Sequence, residues 1–292
     1  MLYNNIYETI GNTPLIKLNK LGNNIFAKLE SCNPSGSIKD RIVLAMILDA
    51  KKSGIVNQDT VFIEATSGNT GISLALICSA MGYKSIVVMP ENSSEERKLL
   101  IKTYGSKVIL TPSNEGMLGS VKKVNELLRQ NKNYHYLDQF NNKNNVLVHE
   151  NTTAREIIKD TNGKIDFFVA GYGTGGTITG IGKALKKFNK NIKIIAIEPK
   201  TEQDVIPGLG AGFDLKLLDK TIIDETIKIS EKDAIDTTKQ LLIQEGLFVG
   251  ISSGAACFAA INIANENKGK NIVVIFPDSG NRYISNNIYE AK

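Results

Sequence analysis

Short runs of apolar, often β-branched residues alternate along this chain with segments whose apolar positions recur at helical spacing. The runs "VFIEA", "SIVVM", "KVIL", "DFFVA", "IKIIAIE" and "NIVVIF" predict buried strands, and segments such as "TGISLALICSAMG" and "TITGIGKALKKF" predict the helices between them. Such alternation is typical of parallel sheets, so we predict an α/β fold. Because the chain has 292 residues, we expect two domains, each a mostly parallel, twisted sheet flanked by helices.

Composition and charge exclude several classes of protein. The net charge is +5, and the lysines are scattered among acids, which indicates a solvated surface rather than a nucleic-acid-binding patch. The longest apolar run, "IVLAMIL", is far too short to cross a bilayer, and the first residues lack the pattern of a signal peptide. We therefore expect a cytoplasmic protein with no membrane and no nucleic acid among its partners.

The cysteines and histidines offer little for a metal site. Cys32, Cys78 and Cys257 are widely spaced and form no C-x-x-C pair, which favours a reducing compartment over a disulfide framework. The two histidines, His135 and His149, do not belong to a ligand-like cluster. We expect no bound metal.

The glycine-rich stretch "VAGYGTGGTITGIG" raises the question of which phosphate it binds. Gly171, Gly173 and Gly176 match the G-x-G-x-x-G dinucleotide fingerprint, and Glu198 lies near where a ribose-binding acid would be. Taken alone, this match predicts a nicotinamide enzyme. However, "ATSGNTG" at 65–71 also joins a strand to a helix start, where free N–H groups bind anions. A dinucleotide needs only one such loop, so the second indicates an anionic substrate group or a different cofactor.

The segment "NPSGSIKDR" places a lysine in an unusual position. Ser37 is a candidate N-cap, so Lys39 is expected in the first turn of the following helix. The helix dipole there opposes positive charge, and burial would oppose it further, so both favour the neutral, nucleophilic amine. Such a lysine can form a Schiff base. The alternative is an ordinary surface lysine, with Asp40 and Arg41 making local ion pairs.

Nine motifs together resemble one family. "IGNTPLIKL", "NPSGSIKDR", "TSGNTG", "HENTTAREI", "GTGGT", "AIEP", "GAGF", "SSGAA" and "PDSGNRYIS" occur in the order found in cysteine synthase and its relatives, the fold-type II pyridoxal-phosphate enzymes. The resemblance covers nearly the whole chain. It implies that the glycine loop binds the phosphate of pyridoxal 5'-phosphate, and that the dinucleotide match reflects shared phosphate-binding physics.

The resemblance also implies a domain division. Residues 36–142 would form a smaller, mobile substrate-binding domain, and residues 1–35 with 143–292 would form a larger domain that binds the cofactor phosphate. The Asn-rich segment "NNKNNVLVHEN", near residue 141, is also the best linker candidate on composition alone.

Residue roles follow from the matching positions of the family. Lys39 would hold the cofactor covalently, and Asn69 would bind the ring hydroxyl of the cofactor. Ser279 would lie near the pyridine nitrogen, with Asp278 as the alternative. The expected phosphate-binding residues are Gly173, Thr174, Gly175, Gly176 and Thr177. The expected residues for the substrate α-carboxylate are Thr66, Ser67, Asn69, Thr70 and Gln139.

The resemblance implies β-replacement on a β-substituted L-alanine through an aminoacrylate, with Lys39 as the general base. The cysteine synthase reaction would convert O-acetylserine and sulfide to L-cysteine and acetate. A homodimer is expected, and a serine acetyltransferase C-terminus is a possible partner.

Departures from the family pattern leave an alternative reaction open. Asn151, Ala154 and Arg155 replace the usual residues, the segment before "GAGF" is short, and Asp214 follows "GAGF" where relatives have an isoleucine. The alternative is consumption of L-cysteine with release of hydrogen sulfide, in which water or a thiol replaces the sulfur and Asp214 is the catalytic base. Otherwise Asp214 caps a turn or meets solvent.

Overall fold

The computed structural model of the chain describes residues 2–210, 214–286 and 288–289. The ten strands it describes are β1 (Leu15–Lys17), β2 (Ile25–Leu29), β3 (Val61–Ala65), β4 (Lys84–Pro90), β5 (Lys107–Thr111), β6 (Tyr134–Tyr136), β7 (Phe167–Gly171), β8 (Lys193–Pro199), β9 (Glu225–Ile229) and β10 (Ile272–Phe276). The α-helices among these residues are α1 (Lys39–Lys52), α2 (Asn69–Met81), α3 (Glu95–Thr103), α4 (Gly116–Gln130), α5 (Asn144–Val148), α6 (Ala154–Asp160), α7 (Gly176–Phe188), α8 (Glu231–Glu245) and α9 (Ile251–Glu266).

The chain divides into two compact units. Unit 1 comprises Met1–Ile10 and Asn33–Asn145, and unit 2 comprises Gly11–Cys32 and Val146–Lys292. Compared with the predicted ranges, this division begins unit 1 slightly earlier, ends it slightly later and adds the start of the chain. The mobility and the substrate-binding role of the smaller domain stay predictions.

Unit 1 contains a four-stranded sheet in the order β5-β4-β3-β6, and every pairing in it is parallel. Its core includes Ile63 and Val88 from the sheet and Val124 from α4. Helix α2 is buried for most of its length, as expected for a helix whose residues are apolar on every side. The predicted strands "VFIEA", "SIVVM" and "KVIL" correspond to β3, β4 and β5.

Unit 2 contains a six-stranded sheet in the order β1-β2-β10-β7-β8-β9. Only the pairing of β1 with β2 is antiparallel among the described strands. Helix α9 is buried along nearly its whole length and packs against β10, with Ala255 and Ala259 in the same core as Val274. The two mostly parallel sheets flanked by helices confirm the predicted fold class.

The Asn-rich segment is helical rather than an extended linker. The Asn142 side chain accepts the backbone N–H of Asn144 at 3.0 Å, where α5 begins. Residues His149–Thr153 continue the chain as a π-helix into α6. Asparagines that bind nearby backbone groups initiate helices as well as loops, which composition alone does not distinguish. Within the described ranges, no helix is long and apolar enough to cross a membrane.

Candidate active site

Lys39 is the first residue of α1, and its side chain is half-buried. The hydroxyl oxygen of Ser37 accepts the backbone N–H of Lys39 at 3.3 Å, but the N-cap residue of α1 is Ile38 and not the predicted Ser37. Ser37 therefore contacts the start of the helix from one residue before the cap. Gly36 turns the chain just before it with a left-handed φ of 86°. The turn at Gly36 and the Ser37 hydroxyl together hold the backbone in place at Lys39.

One buried carboxylate, that of Asp40, connects this helix start to α2. Asp40 accepts the backbone N–H of Ser35 at 2.7 Å, a short hydrogen bond from the Ser35 hydroxyl, and the hydroxyl of Ser73 at 2.5 Å. The Ser73 oxygen also lies 3.1 Å from the carbonyl oxygen of Asn69. Asp40 and Ser73 are fully buried. The carboxylate therefore joins the turn before Lys39 to the first turn of α2.

The β3–α2 loop carries the predicted substrate-binding residues. Thr66 is buried, and its hydroxyl oxygen accepts the backbone N–H of Gly68 at 3.0 Å. Ser67 is exposed and Asn69, the first residue of α2, is half-buried. A Cβ on Gly68 would lie 2.2 Å from Cδ of Arg97, so the loop packs closely against α3. The loop thus presents a helix N-terminus with exposed polar groups, which suits a carboxylate.

Gln139 and Thr70 form a buried pair beside this loop. Nε2 of Gln139 donates to the carbonyl oxygen of Ala65 at 2.8 Å, and the Thr70 hydroxyl donates to Oε1 of Gln139 at 2.7 Å. Because a carbonyl only accepts, the Ala65 contact fixes the orientation of the amide. The two residues are 3% and 2% exposed, so in this structure the Gln139 side chain holds the loop. Its second Nε2 hydrogen is the one that could reach a substrate.

A second buried carboxylate, Glu64, lies beneath the same loop. Oε1 of Glu64 accepts the N–H of Ala65 at 2.9 Å, and Oε2 accepts the N–H of Gln139 at 3.3 Å. Burial raises the pKa of Glu64 well above its ordinary value. Asp138, just before Gln139, has a left-handed φ of 55°. Glu64 therefore holds a constrained turn at the base of the loop.

The glycine loop in unit 2 joins β7 to α7 and is shaped by its backbone. Gly175 has a left-handed φ of 86°, and a Cβ there would lie 2.8 Å from Cα of Leu218. A Cβ on Gly173 would lie 2.8 Å from the carbonyl oxygen of Gly208. Residues 174–176 are buried. Because only glycine fits at both positions, the loop brings backbone N–H groups to the start of a 13-residue helix.

This loop fits the phosphate of pyridoxal phosphate. Its donors are backbone groups and the hydroxyls of Thr174 and Thr177, which suit an anion that is bound by hydrogen bonds. Nε2 of the buried His149 lies 3.2 Å from the Thr177 hydroxyl, and Nδ1 lies 3.0 Å from the hydroxyl of Thr153. The π-helix therefore contributes a histidine that orients one predicted phosphate ligand.

Glu198, the acid expected to bind a ribose in a dinucleotide site, is engaged elsewhere. The hydroxyl of Tyr172, one residue before Gly173, donates a short hydrogen bond to Glu198. Burial and this carboxylate raise the pKa of Tyr172. Glu198 thus supports the residue that precedes the phosphate loop.

Ser279 and Asp278 follow β10 and differ in their contacts. The hydroxyl oxygen of Ser279 accepts the N–H of Asn281 at 3.3 Å, a bond that does not use the hydroxyl proton. The Tyr283 hydroxyl donates to Oδ2 of Asp278 at 2.7 Å, and Asp278 is 1% exposed. Of the two, Ser279 is the side chain whose proton can be directed to a ring nitrogen.

Asp214 is exposed and lines a surface cavity of about 880 Å³ in unit 2. Tyr172, Glu198, Leu209 and Leu218 line the same cavity. The last three residues of the "GAGF" motif, 211–213, lie outside the described residues. Asp214 therefore lines the same cavity as Leu218, which packs against Gly175 of the glycine loop.

Sequence analysis missed the side chains that hold these loops. Asp40 was considered only for local ion pairs, and Glu64 and His149 were assigned no site role. A signal existed for Glu64, because it is the only charged residue in the apolar run "VFIEA". A lone acid in a buried strand needs donors and therefore indicates a structural or functional contact.

Known proteins are similar to this chain over nearly its whole length. Residues 6–278 match the family described as pyridoxal-phosphate dependent enzyme. A cysteine synthase B from Campylobacter jejuni is 46% identical over 297 residues, which cover 99% of each chain. The crystal structure of a hydrogen sulfide-producing enzyme from Fusobacterium nucleatum has a TM-score of 0.93 at 43% identity, covering 97% of this chain and 100% of that one. A cysteine synthase structure from Entamoeba histolytica has a TM-score of 0.95 at 38% identity, covering 100% of this chain and 92% of that one.

The family match spans Lys39 and both loops predicted to bind anions. It excludes the nicotinamide enzyme that the glycine fingerprint alone would predict, and it confirms the family predicted from the nine motifs. Because each relative covers nearly the whole chain, the similarity is not confined to one unit. The chain belongs to the family of pyridoxal-phosphate dependent enzymes.

Proposed function

We propose that this enzyme is a cysteine synthase that forms L-cysteine and acetate from O-acetylserine and sulfide. The observation that carries the proposal is the full-length similarity to a cysteine synthase, at 46% identity, in a chain that retains Lys39 at a helix start. The two anion-binding loops support it, because this reaction needs one site for a phosphate and one for an α-carboxylate.

The proposed cofactor contacts come from four segments of the chain. The loop from Gly173 to Thr177 would hold the phosphate, and Ser279 would direct its proton to the pyridine nitrogen. In unit 1, Lys39 would hold the cofactor covalently and Asn69 would bind the ring hydroxyl. When bound, pyridoxal phosphate supplies an electron sink for breaking bonds at the substrate α-carbon.

The proposed work of the protein is to bind the donor and move one proton. The α-carboxylate would be held by the β3–α2 loop, through the hydroxyls of Thr66 and Ser67 and the backbone N–H of Thr70. Gln139 would contribute its second N–H. The Lys39 amine, freed when the amino acid takes its place, would remove the α-proton as general base.

Replacement of Lys39 tests the proposal. We expect Lys39→Ala to lose the yellow colour of lysine-bound cofactor, to show no cofactor-modified peptide at residue 39 after borohydride reduction, and to lose roughly 10²–10⁴-fold or more in rate. Lys52→Ala, at the exposed end of the same helix, is the control and should behave as wild type. A reduced cofactor found on another lysine would contradict the assignment.

A second candidate function rests on the hydrogen sulfide-producing relative, which is 43% identical over nearly the whole chain. In this reaction L-cysteine is the donor, its Cβ–S bond breaks, and water or a thiol forms the new Cβ bond. With water the products are L-serine and hydrogen sulfide. The exposed Asp214 would take the proton from the incoming water or thiol.

A side-by-side assay separates the two functions. O-acetylserine with sulfide and cysteine with water are compared in wild type and in Asp214→Asn, with Asp59→Asn as the exposed control. If Asp214 is the base, the Asn variant should release sulfide from cysteine roughly 10²-fold more slowly or worse. Unchanged release in that variant, or none in wild type, would leave cysteine synthesis as the function.

We also propose an assembly state, a partner and a cellular location for this protein, and each has its own experiment. A homodimer predicts a particle of twice the chain mass in light scattering. Docking of a serine acetyltransferase C-terminus predicts that a peptide of that sequence competes with O-acetylserine. Cytoplasmic location predicts recovery with cytoplasmic markers on fractionation.

A further inference from the structure

Asp40 occupies a position that no site role assigned above explains. It follows Lys39 directly in the chain, yet its carboxylate is fully buried and faces three donors from outside its own helix. Two of the donors belong to Ser35, in the turn before the helix, and the third is the Ser73 hydroxyl on α2. Burying a carboxylate is costly unless donors satisfy it, so this arrangement needs all three.

The connected backbone carries the two proposed cofactor contacts of unit 1. Asp40 is the peptide neighbour of Lys39, and Ser73 lies one helical turn after Asn69, with its oxygen 3.1 Å from the Asn69 carbonyl oxygen. The Ser35 hydroxyl also lies 3.1 Å from that of Ser73, so the three side chains form one closed cluster. A shift at either helix start must therefore break or strain a bond to the same carboxylate.

We propose that Asp40 is a positioning residue that fixes the start of the Lys39 helix relative to the start of the Asn69 helix. It does not touch the reacting atoms. Its effect is transmitted through the backbone, because it holds in place the two helix starts from which the side chains of Lys39 and Asn69 extend. The inference rests on the proposed function for the roles of Lys39 and Asn69.

The hydrogen-bonding chemistry predicts how graded the effect should be. In Asp40→Asn the amide oxygen can still accept the fixed N–H of Ser35, and the two serine hydroxyls can rotate to accept from the amide N–H₂. The shape is preserved and only the charge is lost. Asp40→Ala removes the three hydrogen bonds to the carboxylate and leaves only the contact between the Ser35 and Ser73 hydroxyls, whereas Ser73→Ala removes the link to α2.

The test uses purified holoenzyme and compares three readouts: the absorption spectrum of bound cofactor, the dissociation constant for pyridoxal phosphate after resolution and titration, and kcat with KM for O-acetylserine and for cysteine. Asp40→Ala should change the spectrum, weaken cofactor binding at least about tenfold and lower kcat roughly a hundredfold, the scale of a 1 Å misplacement. Asp40→Asn should recover most of each loss. Ser73→Ala should show part of it, and its effect should vanish in an Asp40→Ala background.

Asp224→Asn is the matched structural control. Asp224 also accepts a backbone N–H, that of Ile194 at 2.8 Å, and pairs with Lys186 at 2.6 Å, but it lies just before β9, next to the amino end of β8 in unit 2. It should lower the unfolding free energy without changing the spectrum. If Ser73→Ala, or a folded Asp40→Ala, also changes only stability, the positioning role is overturned. If wild type itself binds no cofactor through Lys39, the proposed function fails instead.

Discussion

The two loops predicted to bind anions are held in place by different kinds of contact. The β3–α2 loop of unit 1 is held by side chains: Gln139 bridges Thr70 and Ala65, and Glu64 accepts backbone N–H groups beneath them. The β7–α7 loop of unit 2 is shaped by glycines whose missing side chains leave room for Gly208 and Leu218. The shape of the β3–α2 loop depends on side-chain hydrogen bonds, and the shape of the β7–α7 loop depends on glycines that have no Cβ.

This difference indicates how each loop should respond to change. A glycine whose Cβ position is filled by neighbouring backbone admits no substitution without moving that backbone. A side-chain network can lose one hydrogen bond and keep its path, at a cost of about 1–3 kcal/mol for each buried group left unsatisfied. We therefore expect a single substitution to abolish ligand binding by the β7–α7 loop, and single substitutions to reduce ligand binding by the β3–α2 loop only partly.

The largest effect is expected at Gly175. Gly175→Ala should abolish binding of pyridoxal phosphate, because a Cβ would lie 2.8 Å from Cα of Leu218 at a φ of 86°. Gly269→Ala is the control for the backbone strain alone, since Gly269 has a φ of 81° with nothing within 4 Å of its Cβ position. Cofactor titration followed by absorbance measures both. Gly269→Ala should bind the cofactor as wild type does, and unchanged binding by Gly175→Ala would contradict a packing role for Gly175.

A smaller, graded effect is expected at Thr70. Thr70→Val leaves Oε1 of Gln139 buried without its hydroxyl donor, so the unfolding free energy should fall by about 1–3 kcal/mol. KM for the amino-acid donor should rise more than kcat falls, because the proposed role of the loop is to bind the carboxylate both before and during the reaction. Thr70→Ser keeps the hydroxyl and should restore both values. Denaturant unfolding and steady-state kinetics distinguish this from a variant in which kcat alone collapses.

The smallest effect is a pH dependence of stability at Glu64. Because burial raises the pKa of Glu64 above 4.5 in the folded protein, the folded state binds more protons than the unfolded chain above that pH. Wild type should therefore lose stability relative to Glu64→Gln as the pH rises from 4.5 through the folded pKa. Urea unfolding across this range measures the difference, and a flat difference would show that Glu64 is ionised normally.

Glu245→Gln provides a control of opposite sign. Burial alone would raise the pKa of Glu245, but backbone N–H groups of Lys20, Leu21 and Asn19 hold it below 4.5. Wild type should lose stability relative to this variant as the pH falls below 4.5. Glu64 is thus expected to lower stability as the pH rises above 4.5, and Glu245 as the pH falls below 4.5.

Six strands and the fold class were predictable because their apolar runs are continuous, as buried parallel strands require. β2 was not predicted, because "IFAKL" contains Lys28. That lysine is fully buried, and its Nζ donates to the carbonyl oxygen of Thr13 at 2.6 Å and pairs with Glu156 at 2.9 Å. β6 and β9 were missed because most of their residues are partly exposed and interrupt the apolar pattern.

The candidate site divides in the same way. Motif order was enough to assign the family and to nominate Lys39 and both loops. The supporting contacts could not be predicted, because they depend on strand neighbours far apart in sequence. Glu64 reaches Gln139 only because β6 pairs with β3, with Tyr136 opposite Ile63. Nothing in either local sequence specifies that pairing.

The pairing of β2 with β10 also determines the order in which the two sheets form during synthesis. The strands of unit 1 all lie between Val61 and Tyr136, so its sheet can close while the second half of the chain is still being synthesised. The first parallel strand of unit 2, by contrast, pairs with its last, with Ile25 opposite Ile272. Contacts so distant in sequence form late. The sheet that carries the β3–α2 loop can therefore form on the ribosome before the sheet that carries the β7–α7 loop is complete.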